Sequence, residues 1–137
     1  MARPGAHEAL IYLMVVTSAS DRDMTDVELG RIGEVVRSWP VFEDFRHNDL
    51  VRVAQDCQEL LHEDAGLVGV LTLARDALPE RLHDTAYAAA FEVAAVDKEM
   101  RMEELRVLQL LRQHLNIDQL TVAAIERGNK ARTRSLT

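Results

Sequence analysis

The amino-acid sequence predicts an all-α fold, a compact single domain of six or seven helices. Apolar residues recur at spacings of three and four, and no stretch alternates polar and apolar residues for long enough to form a strand. Only 6 Gly and 3 Pro occur in 137 residues, beside many Ala, Leu and Glu, which favour helices. A chain of this length is most economically one domain.

The apolar stripes predict the helices in chain order. The first spans residues 6–20 and is expected to be buried, because it contains the longest apolar run of the chain. A second stripe begins at Leu29 and ends at Pro40, and a third follows Asn48 as its predicted N-cap. Four more helices are predicted at residues 66–78, 82–96, 105–115 and 118–127.

The predicted domain covers residues 1–128, because Gly128 is a natural stop for the last helix. Residues 129–137 are basic and have no apolar pattern, so we expect a disordered tail.

Charge and cysteine content exclude several classes of protein. Asp and Glu number 23 against 16 Lys and Arg, a net charge of −7, which argues against nucleic-acid binding. The single Cys excludes an intramolecular disulfide and a thiolate metal cluster. The apolar run at residues 10–16 falls short of the roughly 20 residues that span a bilayer, and Glu8 beside it argues against a signal peptide. We therefore expect a cytoplasmic protein without membrane insertion.

The chain contains an internal repeat. Residues 18–29 align with residues 94–105 at an offset of 76, and 5 of the 12 pairs are identical, where chance gives about one. In each copy an Asp ends an apolar helix, and a Glu seven residues later lies in the first turn of the next helix. The pattern predicts a duplicated helix–loop–helix with acidic loops, in which Leu29 and Leu105 begin the next buried faces.

The repeated carboxylates predict a metal site. If the two copies pack together, Asp21, Glu28, Asp97 and Glu104 converge and repel one another. A hard divalent cation relieves this repulsion, and calcium or magnesium suits oxygen ligands best. An EF-hand is excluded, because the glycine and glutamate that its loop requires are missing.

A second interpretation needs no metal. Thr25 to Glu28 matches the capping-box pattern, so Glu28 can serve only to cap its own helix. Acidic residues also favour a helix N-terminus through the macrodipole. The protein would then be an interaction module whose acidic face binds a basic protein partner.

A third interpretation is a di-iron enzyme, because Glu59 with His62 and Glu80 with His83 have the Glu-x-x-His spacing of such sites. The second pair follows a proline at a helix start, which favours exposed histidines instead. Cys57 lies on an apolar helix face without an inferable base, so it is not predicted to be a nucleophile.

The repeated motif resembles that of the TerB family, the helical domain associated with tellurite resistance. The family motif reads approximately Ala-x-x-Asp-Gly-x-Ile/Val-x-x-x-Glu, which is similar to residues 18–28 and 94–104, and the resemblance covers residues 6–127. It implies an all-helical fold whose paired acidic motifs bind metal, in proteins tied to stress responses. The candidate ligands that it carries over are Asp21, Glu28, Asp97 and Glu104.

The chain departs from the family motif at one position, since Arg22 and Lys98 stand where the family has glycine. A cation at this place competes electrostatically with a bound metal. The sequence as a whole predicts a divalent-cation-binding module without catalytic activity, acting with a protein partner in tellurite resistance or stress response.

Overall fold

The computed structural model describes residues 4–19, 23–95 and 100–136. Within these ranges the chain forms seven α-helices and no strand, which confirms the predicted all-α class. The helices are α1 (Ala6–Ala19), α2 (Asp26–Ser38), α3 (Leu50–Leu61), α4 (Gly66–Ala77), α5 (His83–Ala94), α6 (Met102–His114) and α7 (Gln119–Arg132). Short 3-10 turns occur at Pro40–Phe42, His47–Asp49 and Glu80–Leu82.

Helix α1 is the centre of the fold. Every residue from Ala9 to Ala19 is buried, and helices α2 to α6 all pack against it. A helix that is apolar on every side is stable only when neighbours cover all of its faces. The predicted buried first helix is therefore confirmed. Among the described helices, none has the length and apolar content that crossing a bilayer requires.

Helix α5 packs against α1 on one side and against α6 and α7 on others. Its buried face is built from small residues, including Ala86 and Ala90, which allow helix axes to approach closely. Tyr87 is buried beside them, and its hydroxyl donates a hydrogen bond to the Glu126 carboxylate of α7 at 2.7 Å. Burial, reinforced by this bond, raises the pKa of Tyr87.

Helix α7 continues beyond Gly128, so the predicted end of the last helix was wrong. Asn129 is buried and donates to Glu92 of α5 at 3.2 Å, and Arg132 forms an ion pair with the same carboxylate. These contacts stabilise an additional helical turn. Gly128 within the helix lowers its stability by only about 1 kcal/mol relative to alanine. The first four residues of the predicted tail, 129–132, therefore belong to α7.

Two further details differ from the sequence prediction. Asn48 lies in a 3-10 turn that runs directly into α3, so it is not the N-cap of that helix. Leu105 is 47% exposed, because Glu104 takes the first buried position of α6 and Leu108 continues that face. Glu104 and Leu105 are neighbours in sequence, so their side chains point about 100° apart around the helix.

The central position of α1 predicts a large difference between two Leu→Ala substitutions. Leu13→Ala should lower the free energy of unfolding by about 2–5 kcal/mol, because Leu13 is fully buried and its removal leaves a cavity. Leu120→Ala, at a position 80% exposed on α7, is the matched control and should change it by about 0.5 kcal/mol or less. Urea denaturation measures both, and equal losses would contradict the central placement of α1.

Candidate metal centre

The two copies of the acidic motif connect α1 to α2 and α5 to α6. Asp21 and Asp97 lie outside the described residues, so their predicted role as ligands stays a prediction. Glu28 and Glu104 are described and lie in the first turns of α2 and α6. Both carboxyl side chains are buried, so the contacts that they make decide what the site can do.

Glu28 completes a capping box at the start of α2. Its Oε1 accepts hydrogen bonds from the backbone amide of Thr25 at 2.9 Å and from the Thr25 hydroxyl at 3.1 Å. In return, the Thr25 hydroxyl oxygen accepts from the Glu28 amide at 3.2 Å. The helix-capping interpretation of Glu28 therefore describes a real contact, but it occupies only one carboxylate oxygen.

Glu104 makes half of the same arrangement at the start of α6. Its Oε1 accepts from the backbone amide of Arg101 at 3.0 Å. The reverse bond is missing, because a guanidinium has no acceptor for the amide of Glu104. The N-cap of α2 is therefore the hydroxyl-bearing Thr25, whereas the N-cap of α6 is the cationic Arg101.

The guanidinium of Arg101 joins the two glutamates. Its Nε lies 3.3 Å from Glu104 Oε1, and its Nη2 lies 3.5 Å from Glu28 Oε2. The same Nη2 donates to the backbone carbonyl of Ser18, in the last turn of α1, at 2.9 Å. The structure therefore brings Glu28 and Glu104, 76 residues apart in sequence, to one cation. We call these three oxygen-bearing groups, the two carboxylates and the Ser18 carbonyl, the cradle.

The cradle by itself has few metal ligands. Across residues 4–19, 23–95 and 100–136, no group of three or more His, Cys, Asp or Glu side chains is arranged to hold a metal ion. The described part of the site is two carboxylates and a carbonyl around a guanidinium, an all-oxygen set that suits a hard cation.

The di-iron interpretation is not supported by the geometry. Glu59, His62 and Glu80 are exposed, and the structure does not assemble them into a metal-binding group. His83 is half-buried, and its two ring nitrogens face backbone carbonyls that follow α4 and α6, at 3.3 and 3.2 Å. These contacts make His83 a link between helix ends.

Cys57 is buried on α3, as predicted, and its Sγ lies 3.7 Å from the backbone oxygen of Tyr12. Burial raises the pKa of the Cys57 thiol to about 12. The thiol is therefore protonated at neutral pH and unsuited to nucleophilic attack.

An apolar groove runs along the surface between α5 and α7. It has a volume of about 570 Å³, and Ala88, Ala124 and Ile125 form its apolar lining, with the exposed Leu120 at its edge. Among the described residues that line it, Asp84 alone has an ionisable side chain, so the groove suits packing better than chemistry.

Arg101 is the site residue that sequence reasoning missed. The repeat carried a signal for it, since the offset of 76 aligns Arg101 with the capping residue Thr25. Its partners were not inferable, because the contacts with Glu28 and Ser18 cross 73 and 83 residues of chain.

The family model described as "Tellurite resistance protein TerB" matches residues 7–127. Searches of curated proteins and of solved structures gave no match.

The capping box predicts that Thr25 contributes to stability through its hydroxyl. Thr25→Ala should lower the free energy of unfolding by about 1 kcal/mol, because the Glu28 amide loses its acceptor. Thr25→Ser keeps the oxygen and should retain most of the stability. Thermal and urea unfolding of the two variants test this, and an equal loss from both would show that the methyl group matters instead.

Burial of Cys57 predicts that the native thiol is protected. An aromatic disulfide reagent at pH 8 should modify Cys57 only as fast as the protein opens, because the thiolate is scarce and inaccessible. The unfolded protein in urea is the control and should react at once. Rapid reaction of the folded protein would contradict the burial.

Proposed function

The chain belongs to the TerB family, and from this premise we propose that it is a tellurite-resistance-associated helical module that binds a divalent cation where its two acidic motifs meet. The observation that supports the proposal is the cradle, in which Glu28 and Glu104 approach one cationic group. That cationic group is a side chain of the protein, and it stands in for the ion that we propose.

The chemistry of the cradle fits a hard cation. All of the atoms that it offers to a metal ion are oxygens, and the side chains of Glu28 and Glu104 are only 10% and 6% exposed. Calcium and magnesium prefer such ligands. One oxygen of each glutamate is engaged in capping, so a cation would be held by side chains that the helix starts already orient.

Charge around the motifs supports the same proposal. Residues 21–28 and 97–104 together contain eight acidic and three basic residues, an excess of five negative charges. Asp21 and Asp97 belong to these segments and are the remaining proposed ligands. A bound cation would neutralise part of this excess and link the two motif loops. Glu28 and Glu104 would supply negative charge and fixed ligand positions for the cation. We propose no catalytic step.

The second candidate is an interaction module for a basic protein partner. Two observations favour it: the capping box already accounts for one oxygen of Glu28, and Arg101 already neutralises part of the carboxylate charge. Binding of such a partner should persist in a chelator and weaken as salt concentration rises. A partner that requires the cation would instead favour the first candidate.

Removal of charge from both glutamates tests the cation proposal. Calorimetric titration with Ca²⁺, Mg²⁺ or Mn²⁺ should give saturable binding to the wild type and little to Glu28→Gln/Glu104→Gln. Glutamine still caps a helix at this position, so the substitution removes charge and spares the fold. At about 100 times the dissociation constant, the cation should stabilise the wild type by roughly 2.7 kcal/mol.

Two further double variants sharpen this test. Glu59→Gln/Glu80→Gln removes the same charge from exposed positions and should bind like the wild type. Asp21→Asn/Asp97→Asn should lose binding if the motif aspartates are ligands. Equal, negligible heats from the wild type and every variant would remove the cation proposal and leave the interaction module.

A further inference from the structure

The side chain of Arg101 contacts every oxygen-bearing group of the cradle. Its guanidinium contacts Glu28, Glu104 and the Ser18 carbonyl, and these are all three groups of the cradle. A guanidinium offers only N–H donors, so it binds the same carboxylate and carbonyl oxygens that a divalent cation would use. A divalent cation and this side chain would therefore compete for the same oxygen atoms.

The position of Arg101 allows its side chain to leave. The residue is the N-cap of α6, and its side chain is 43% exposed, whereas the glutamates that it contacts are buried. The bond that caps α6 runs from the backbone amide of Arg101 to Glu104, so it does not depend on the guanidinium. Withdrawal of the side chain into solvent would therefore leave the helix start intact.

We propose that Arg101 is a built-in counter-ion of the cradle, which a divalent cation must displace in order to bind. The proposal rests on the proposed cation-binding function and adds the residue that regulates it. In the cation-free protein, Arg101 links α6 to the start of α2 and the end of α1. In the cation-bound protein, the ion makes that link and the guanidinium is released to the surface. Arg101 would thus lower the affinity for cations while stabilising the cation-free state.

A matched pair of arginine substitutions tests this exchange. Arg101→Ala should bind Ca²⁺ or Mg²⁺ roughly tenfold more tightly than the wild type, which corresponds to about 1.4 kcal/mol. Arg106→Ala is the control, because Arg106 is exposed on the same helix and makes no ion pair or side-chain hydrogen bond within the described residues. It removes the same charge and should bind within about twofold of the wild type.

Unfolding measurements give a second readout that does not depend on heats of binding. In chelator, Arg101→Ala should be less stable than the wild type, because it lacks the contacts of the guanidinium. At saturating cation the two should be equally stable, because the guanidinium has left the cradle in the wild type. Thermodynamic linkage then requires two quantities to be equal: the loss of stability of Arg101→Ala in chelator, and the increase in its binding free energy for the cation, both relative to the wild type. If the alanine variant folds poorly, Arg101→Gln replaces it, because glutamine retains most of the side-chain length without the charge. Arg101→Gln is expected to show the same pattern.

The outcomes separate this inference from the proposed function. If no cation binds the wild type or either Arg101 variant, both proposals fail. If the wild type binds and the Arg101 variants bind equally or more weakly, the cradle is a cation site and the displacement of Arg101 is overturned. If Arg106→Ala also binds the cation more tightly, the increased affinity of the Arg101 variants comes from the change in net charge alone. That result would overturn the displacement of Arg101 by the cation.

Discussion

The burial of α1 from Ala9 to Ala19 is the constraint on which the rest of the structure depends. Because every residue from Ala9 to Ala19 is covered, five other helices must pack around it. The last carbonyls of a helix have no partner within that helix, and where they are buried they require a donor. The guanidinium of Arg101 supplies one to Ser18, so the buried end of α1 is tied to the start of α6.

This constraint explains why two carboxylates lie close to the core. Glu28 and Glu104 begin the helices that pack beside the end of α1, and the backbone amides of Thr25 and Arg101 bind one oxygen of each. Helix N-termini favour negative charge, which offsets part of the cost of burial. Helix capping and contact with a cationic side chain are therefore compatible in Glu28, whose Oε1 accepts from the backbone of Thr25 while its Oε2 lies 3.5 Å from the guanidinium of Arg101.

Local pattern predicted much of the fold. The apolar spacing located all seven helices of the described residues, and short-range chemistry located the capping box of α2. Prediction failed where distant contacts outweighed a local signal. Gly128 signals a stop, but Glu92 of α5 binds the turn that follows it.

The sequence by itself determined which residues form helices, where most of those helices begin, and that two acidic motifs recur 76 residues apart. These features depend on hydrogen bonds and side-chain spacing within a few residues, which a single segment already contains. Only the tertiary structure decided that Glu28 and Glu104 share a cation and that this cation is Arg101. That arrangement depends on how α1, α2 and α6 meet, and packing between segments so distant is not encoded in the pattern of any one of them.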